Sequence, residues 1–211
     1  MQNTEEVIRL LKKEYPNTRY YLNFSNPLEL VVAAILSAQC RDTVVNAATK
    51  HLFRKYKTSG EYANASLNEL ENDIKSITFF KNKAKNIMGA AGIIDEKYKG
   101  KVPDTMGQLV ELPGVGRKTA NAILQNAFGK IEGIIVDTHV IRVTYRLGWT
   151  KQKNPEKIEK DLTAIIPRKN WKILPHLLKD HGRAVCLSIP HCSECVLNKI
   201  CPKQGCEADM R

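Results

Sequence analysis

Apolar positions along the chain recur at three- and four-residue intervals almost throughout, so the elements they predict are helices. Thr4 reads as an N-cap, with Glu5 and Glu6 in the first turn and Val7, Leu10 and Leu11 on one face. In "SNPLELVVAAILSAQ", Ser25 or Asn26 caps a helix and Pro27 stands near its first position, where a missing N–H costs nothing. That segment is apolar nearly all round, which places it inside a core. Asp42 opens the next helix, with Val45, Ala48, Leu52 and Phe53 in register, and Ser66 opens another, with Leu67, Leu70, Ile74 and Ile77. A helix over 81–98 carries Lys81, Lys83 and Lys85 at its start and is ended by Gly100 and Pro103. A short helix at 105–112 runs into "PGVG", and a second leaves it from about Arg117 to Phe128. "IEGIIV" at 131–136 has strand-forming residues but no evident partner strand, so it reads as a buried connector into a helix beginning near Thr138. Helices near 155–166 and 169–180 follow. Without repeats or low-complexity tracts, the class is all-α with short connections.

Composition adds a partner class. Thirty-three Lys and Arg against twenty-two Asp and Glu leave a net charge of +11. Such an excess suits a polyanion, because neutralising phosphates releases condensed counterions; solubility alone is the bland alternative. No apolar run approaches the roughly 20 residues that span a membrane. The N-terminus carries no signal-peptide block, so a cytoplasmic, nucleoid-associated protein of prokaryotic type is expected, acting as a monomer without a membrane partner.

The stretch "LPGVGRKTANAIL" at 112–124 concentrates the candidate chemistry. Gly114 and Gly116 can take positive φ and let another backbone come close. The first amides of the following helix lack intrahelical partners and face outward at the positive end of its dipole, where they can receive a phosphate without reading sequence. Lys118 lies in the first turn, next to Arg117. Both the dipole and the neighbouring cation disfavour an ammonium there, and a neutral amine is a nucleophile able to form a Schiff base. A solvated surface lysine is the competing reading. Asp137, at the end of the apolar "IIV", reads first as an N-cap; it can also stabilise positive charge developing on a sugar or help move protons. His139, two residues on, reads equally as a packed, a capping or a site-lining residue.

"LPGVGRKTA" followed some twenty residues later by "VDTHV" and Arg142, then by a cysteine cluster, resembles the endonuclease III family of helix–hairpin–helix DNA glycosylases with AP-lyase activity. "LNFSNPLELVVAAILSAQ", "NKAKNI" and "HGR" extend the resemblance over nearly the whole chain. It implies a two-domain helical fold with a cleft between a six-helix barrel over 21–131 and a discontinuous domain of 1–20 with 132–211. It also implies double-stranded DNA with a damaged base or abasic site as the partner, removal of oxidised pyrimidines, and β-elimination 3′ to the abasic site. By matching motifs, Lys118 is the Schiff-base nucleophile and Asp137 the essential carboxylate. Gly114, Val115 and Gly116 hold the DNA backbone, and Gln39 fills the space left in the duplex. Where the family usually carries a Gly-Leu-Tyr type of tip, this chain has Thr78-Phe79-Phe80. Phe79 is then the wedge, with a core aromatic as the alternative.

Cys186, Cys192, Cys195 and Cys201 are separated by five, two and five residues. In a reducing compartment this spacing suggests metal more than disulfides, and four thiolates suit either zinc or iron–sulfur. The resemblance selects a [4Fe–4S] cluster, although the first interval is one residue shorter than the family's usual six. Cys206 could stand in for Cys201. Cys40, beside Gln39, reads as a packing residue. A monofunctional glycosylase relative and a purely DNA-binding module remain as rivals; the second does not require Lys118 and Asp137 together.

Overall fold

A computed structural model describes residues 3–206. Among them the secondary structure is helical, with no strand. The chain forms two compact units, Tyr21–Lys130 and a discontinuous one of Met1–Tyr20 with Ile131–Arg211.

The Tyr21–Lys130 unit contains α2 (Pro27–Ser37), α3 (Asp42–Lys55), α4 (Ser59–Ala63), α5 (Leu67–Asp73), α6 (Phe80–Tyr98), α7 (Met106–Leu109) and α8 (Arg117–Ala127). Helix α2 lies at its centre: every residue from Leu30 to Leu36 is buried, and the helix packs against α3, α6 and α8. Its start is fixed locally, by Pro27 in the first turn and by Asn26, whose Oδ1 accepts from the Glu29 amide at 2.9 Å. Helix α4 is absent from the periodicity-based reading, being a single turn too short to show a period. Its signal is a capping box: the Thr58 hydroxyl accepts from the Glu61 amide, and the Glu61 carboxylate accepts from the Thr58 amide.

The other unit is built from α1 (Thr4–Glu14), α9 (Thr138–Arg146), α10 (Pro155–Ile165) and α11 (Leu174–Ala184), with 3-10 turns at Arg168–Asn170 and Cys192–Glu194. Its core joins Val7, Ile8 and Leu11 of α1 to Val140, Leu174 and Leu177. Ile134, Ile135 and Val136 are buried in the connector leading to α9, as their composition predicts.

Among the differences from the sequence reading, two concern helix starts and one a turn glycine. Asn3, not Thr4, caps α1, since its side chain accepts from the Glu6 amide. The helix read at 169–180 begins only at Leu174, after a 3-10 turn, with Pro175 in its first turn. Gly116 has φ −88°, so only Gly114, at φ +79°, uses the left-handed freedom expected of both. No helix of the described residues is long and apolar enough to cross a membrane.

Candidate functional site

The two glycines of the 112–116 turn have different duties. A Cβ on Gly114 would meet the Cβ of Asn86 at 3.1 Å, so this residue needs both its positive φ and its missing side chain. On Gly89 a Cβ would approach Pro113 at 3.2 Å. The turn is thus seated on α6 through Asn86 and Gly89, which gives the "NKAKNI" segment a packing role. Gly116 has no atom within 4 Å of where a Cβ would stand, and its open side is the one a ligand backbone could approach. Val115 is 4% exposed, so it packs inward and pins the turn. Leaving the turn, α8 begins with Arg117 and Lys118, both exposed. Lys118 is therefore a surface amine on the first turn of a helix whose next turn is buried through Ala120 to Gln125.

Two other predicted contact residues of the same unit share a backbone state. Gln39 (φ 52°) and Phe79 (φ 58°) are non-glycine residues in the left-handed region, and both are exposed. Phe79 is 62% exposed, which overturns its reading as a core aromatic. Left-handed backbone costs a residue bearing a Cβ about 1–2 kcal/mol, and such conformations cluster where a side chain has to be held out for use. Between these tips lies Lys83, read from the sequence as one of three lysines opening a helix. It is 5% exposed, and its Nζ donates to the carbonyls of Leu36 at 2.8 Å and Ala38 at 2.6 Å. Burial pushes its pKa below the ordinary lysine value, with the nearby Cys40 opposing. The sequence held a signal for this: Lys83 is in helical register with the buried Ile87, Ala90 and Ile94.

In the discontinuous unit, Asp137 is the N-cap of α9. Its Oδ1 accepts from the amides of His139 and Val140, both at 2.9 Å, leaving Oδ2 outside the cap. His139 packs beside Gly182, where a Cβ would meet its Nδ1 at 2.8 Å, and Arg142 Nη2 lies 3.2 Å from that nitrogen. Arg142 also donates to the carbonyls of Gly182 and Cys186, and the close approach of His139 accounts for the glycine of "HGR". Burial lowers the pKa of His139, against the pull of the Asp137 charge. It lowers that of His176 to about 4, with Lys179 adding to the effect and Asp137 opposing it.

The predicted ligands Cys186, Cys192, Cys195 and Cys201 line one pocket, together with Cys206. Donors point at three of the sulfurs: Arg146 Nη1 at Cys186 (3.3 Å), the Leu197 amide at Cys195 (3.3 Å) and the Lys203 amide at Cys201 (3.4 Å). A thiol sulfur is a weak acceptor, whereas a thiolate rewards such donors and a buried guanidinium. The donor set therefore fits anionic sulfurs. In the absence of a cation burial favours the neutral thiols, pushing Cys195 up to about 11 and raising Cys201 as well, so anionic sulfurs here need the compensating charge of a bound metal. Among the described residues no three Cys, His, Asp or Glu side chains converge as the ligands of a single ion would. Arg146, 8% exposed, also donates to the carbonyls of Leu187 and Ser188 and so braces the loop between the first two cysteines. Nothing in the residue pattern singled it out.

With these positions fixed, comparison with known proteins becomes decisive. Residues 32–168 match the model of the HhH-GPD superfamily of base excision DNA repair proteins. Endonuclease III of a Synechocystis strain is 46% identical over 95% of this chain and 92% of its own. The chain belongs to the endonuclease III family. The Bacillus subtilis member is likewise 46% identical, over 93% of this chain and 90% of its own. A solved trapped endonuclease III–DNA covalent intermediate superimposes with a TM-score of 0.90 at 41% identity, covering the whole of both chains. The endonuclease III fold is thus the fold of this chain, as its motifs imply.

Proposed function

We propose that this protein is a base-excision repair DNA glycosylase with AP-lyase activity. It removes oxidised pyrimidines from bacterial duplex DNA through a Schiff base on Lys118. The observation that carries the reading is the exposed Lys118 amine at the head of α8, directly after a turn whose outer face is bare backbone. Membership of a family with a trapped DNA-covalent relative supports it.

The damaged nucleotide leaves the stack, since its sugar is otherwise out of reach, and damage lowers the cost of that step. Gln39 fills the vacated space and Phe79 wedges the neighbouring step. The amides at Gly114–Gly116 and the start of α8 hold a phosphate. The Lys118 lone pair forms a bond to C1′ while the bond from C1′ to the base breaks, and the base departs with the electron pair and gains a proton. Opening of the sugar leaves a protonated imine. Loss of a C2′ proton then expels the 3′ phosphate by β-elimination. Asp137, whose Oδ2 stands outside the cap, stabilises the positive charge on the sugar or carries a proton.

Cys186, Cys192, Cys195 and Cys201 would hold the [4Fe–4S] cluster, which would tie down a segment whose only regular structure past α11, among the described residues, is one 3-10 turn. Arg146 and the amides of Leu197 and Lys203 would offset its thiolate charge.

The test is borohydride trapping on a duplex containing thymine glycol, comparing wild type with Lys118→Gln. A covalent adduct formed by wild type alone is the expected result. A folded, DNA-binding wild type that yields no adduct would reject the Schiff base for this lesion and turn the search to monofunctional excision.

A further inference from the structure

The two prongs assigned above to the duplex, Gln39 and Phe79, come from separate loops, yet one side chain joins their supports. Helix α2 ends at Ser37 with its last carbonyls lacking intrahelical partners. Lys83 Nζ bonds two carbonyls at that end, Leu36 at 2.8 Å and Ala38 at 2.6 Å. The Ala38 carbonyl belongs to the peptide unit that ends at the Gln39 nitrogen, so the ammonium fixes the plane from which Gln39 turns into its left-handed state. The same residue closes the first turn of α6 on the other prong, because its amide donates to the Phe79 carbonyl at 3.2 Å. A chain of bonds therefore runs from Phe79 through Lys83 to the peptide of Gln39.

An ammonium buried at 5% exposure and held by carbonyls alone is an expensive way to cap a helix. A glycine or asparagine after Ser37 would satisfy α2 more cheaply. The placement makes sense if the bond has to fix the relation between two projecting residues.

We propose that Lys83 is a positioning residue that locks the Gln39 and Phe79 turns into one rigid two-pronged element, so that both prongs enter the duplex together. The inference rests on the reading of Gln39 and Phe79 as the residues inserted into DNA.

Holoprotein with Lys83→Met is compared with wild type on two substrates: an abasic site in duplex DNA with 2-aminopurine opposite, and the same abasic strand alone. The single strand has no base step to open, so trapping there reports on Lys118 chemistry and on the fold. Lys83→Met is expected to slow duplex trapping about 100-fold and to abolish the 2-aminopurine fluorescence rise, with single-strand trapping held within about twofold. Lys83→Gln, too short to reach both carbonyls, gives the same selective loss, while Lys83→Arg restores most of the duplex rate. Equal loss on both substrates by the Met and Gln variants, or no loss on the duplex, overturns the assignment. Gln39→Ala and Phe79→Ala separate the two layers of the argument. If they show the duplex-selective loss and the Lys83 variants do not, the positioning role alone is wrong. If they retain wild-type duplex rates, the prong reading itself fails.

Discussion

Lys118 and Asp137 are the two residues assigned to the reaction, and their surroundings could hardly differ more. Lys118 is an exposed amine on the first turn of α8, where the helix is anchored by other residues. Asp137 is half-buried, and one of its oxygens already takes two backbone amides to start α9. On that assignment the amine is structurally dispensable, whereas the carboxylate would serve fold and reaction at once. Chemistry and stability should therefore separate cleanly at one position and stay entangled at the other.

The largest test of that contrast is Lys118→Gln. Adduct formation is expected to vanish, while stability by chemical denaturation stays within about 0.5 kcal/mol of wild type, as for an exposed site. A large stability loss would erase the distinction. At the second position, Asp137→Asn keeps an acceptor for the cap and should cost roughly 10²- to 10⁴-fold in single-turnover excision with little change in stability. Asp137→Ala should add a stability loss of about 1 kcal/mol. An Asn variant with full activity would reduce Asp137 to a cap.

A third test asks what burial does around the carboxylate. His176 is held neutral, its pKa lowered to about 4 chiefly by burial, with the charges of Lys179, Asp137 and Lys172 around it. The unfolded chain takes up a proton near pH 6.5 that the folded chain refuses until about pH 4. Stability contributed by this group is thus intact above that window and declines as pH falls through it, by on the order of 1–3 kcal/mol. His176→Gln should flatten the slope of denaturation midpoint against pH between those limits; an unchanged slope would remove His176 from the account.

The last contrast lies within the turn. Gly114→Ala meets both a positive φ and Asn86, and should destabilise by roughly 1–2 kcal/mol. Gly116→Ala meets nothing and should melt like wild type, yet bind duplex DNA several-fold more weakly because its methyl stands where a phosphate has to approach. Equal DNA affinity for Gly116→Ala and wild type would move the backbone contact elsewhere.

What could be read in the sequence follows a physical line. Features set within a few residues were legible: Asn26 with Pro27 at the head of α2, Asp137 at the head of α9, and the buried connector at Ile134–Val136. The Thr58–Glu61 box was equally local, but it opens a helix too short to show periodicity. Pro175 held the true start of α11 near Leu174, obscured by the 3-10 turn before it. Long-range roles were hidden. Lys83 follows the core register, but only the approach of the α2 terminus shows what its ammonium holds. Arg146 looks like a routine basic residue in the last turn of a helix until the cysteine loop folds over it. Phe79 was undecidable, because exposure is a property of the assembled unit.

The discontinuous unit also has a history during synthesis. Helix α1 presents Val7, Ile8 and Leu11 to a core whose other members include Leu174 and Leu177. Its Lys12 bonds Asn170, a partner 158 residues later in the chain. On a ribosome adding about 5–20 residues each second, that apolar stripe waits roughly 10–30 s for its partner. The intervening Tyr21–Lys130 segment has all its own helices well before then. The nascent protein therefore has a finished middle while its first helix is still unclaimed, and that first helix is the part of the newborn chain a holding chaperone would meet.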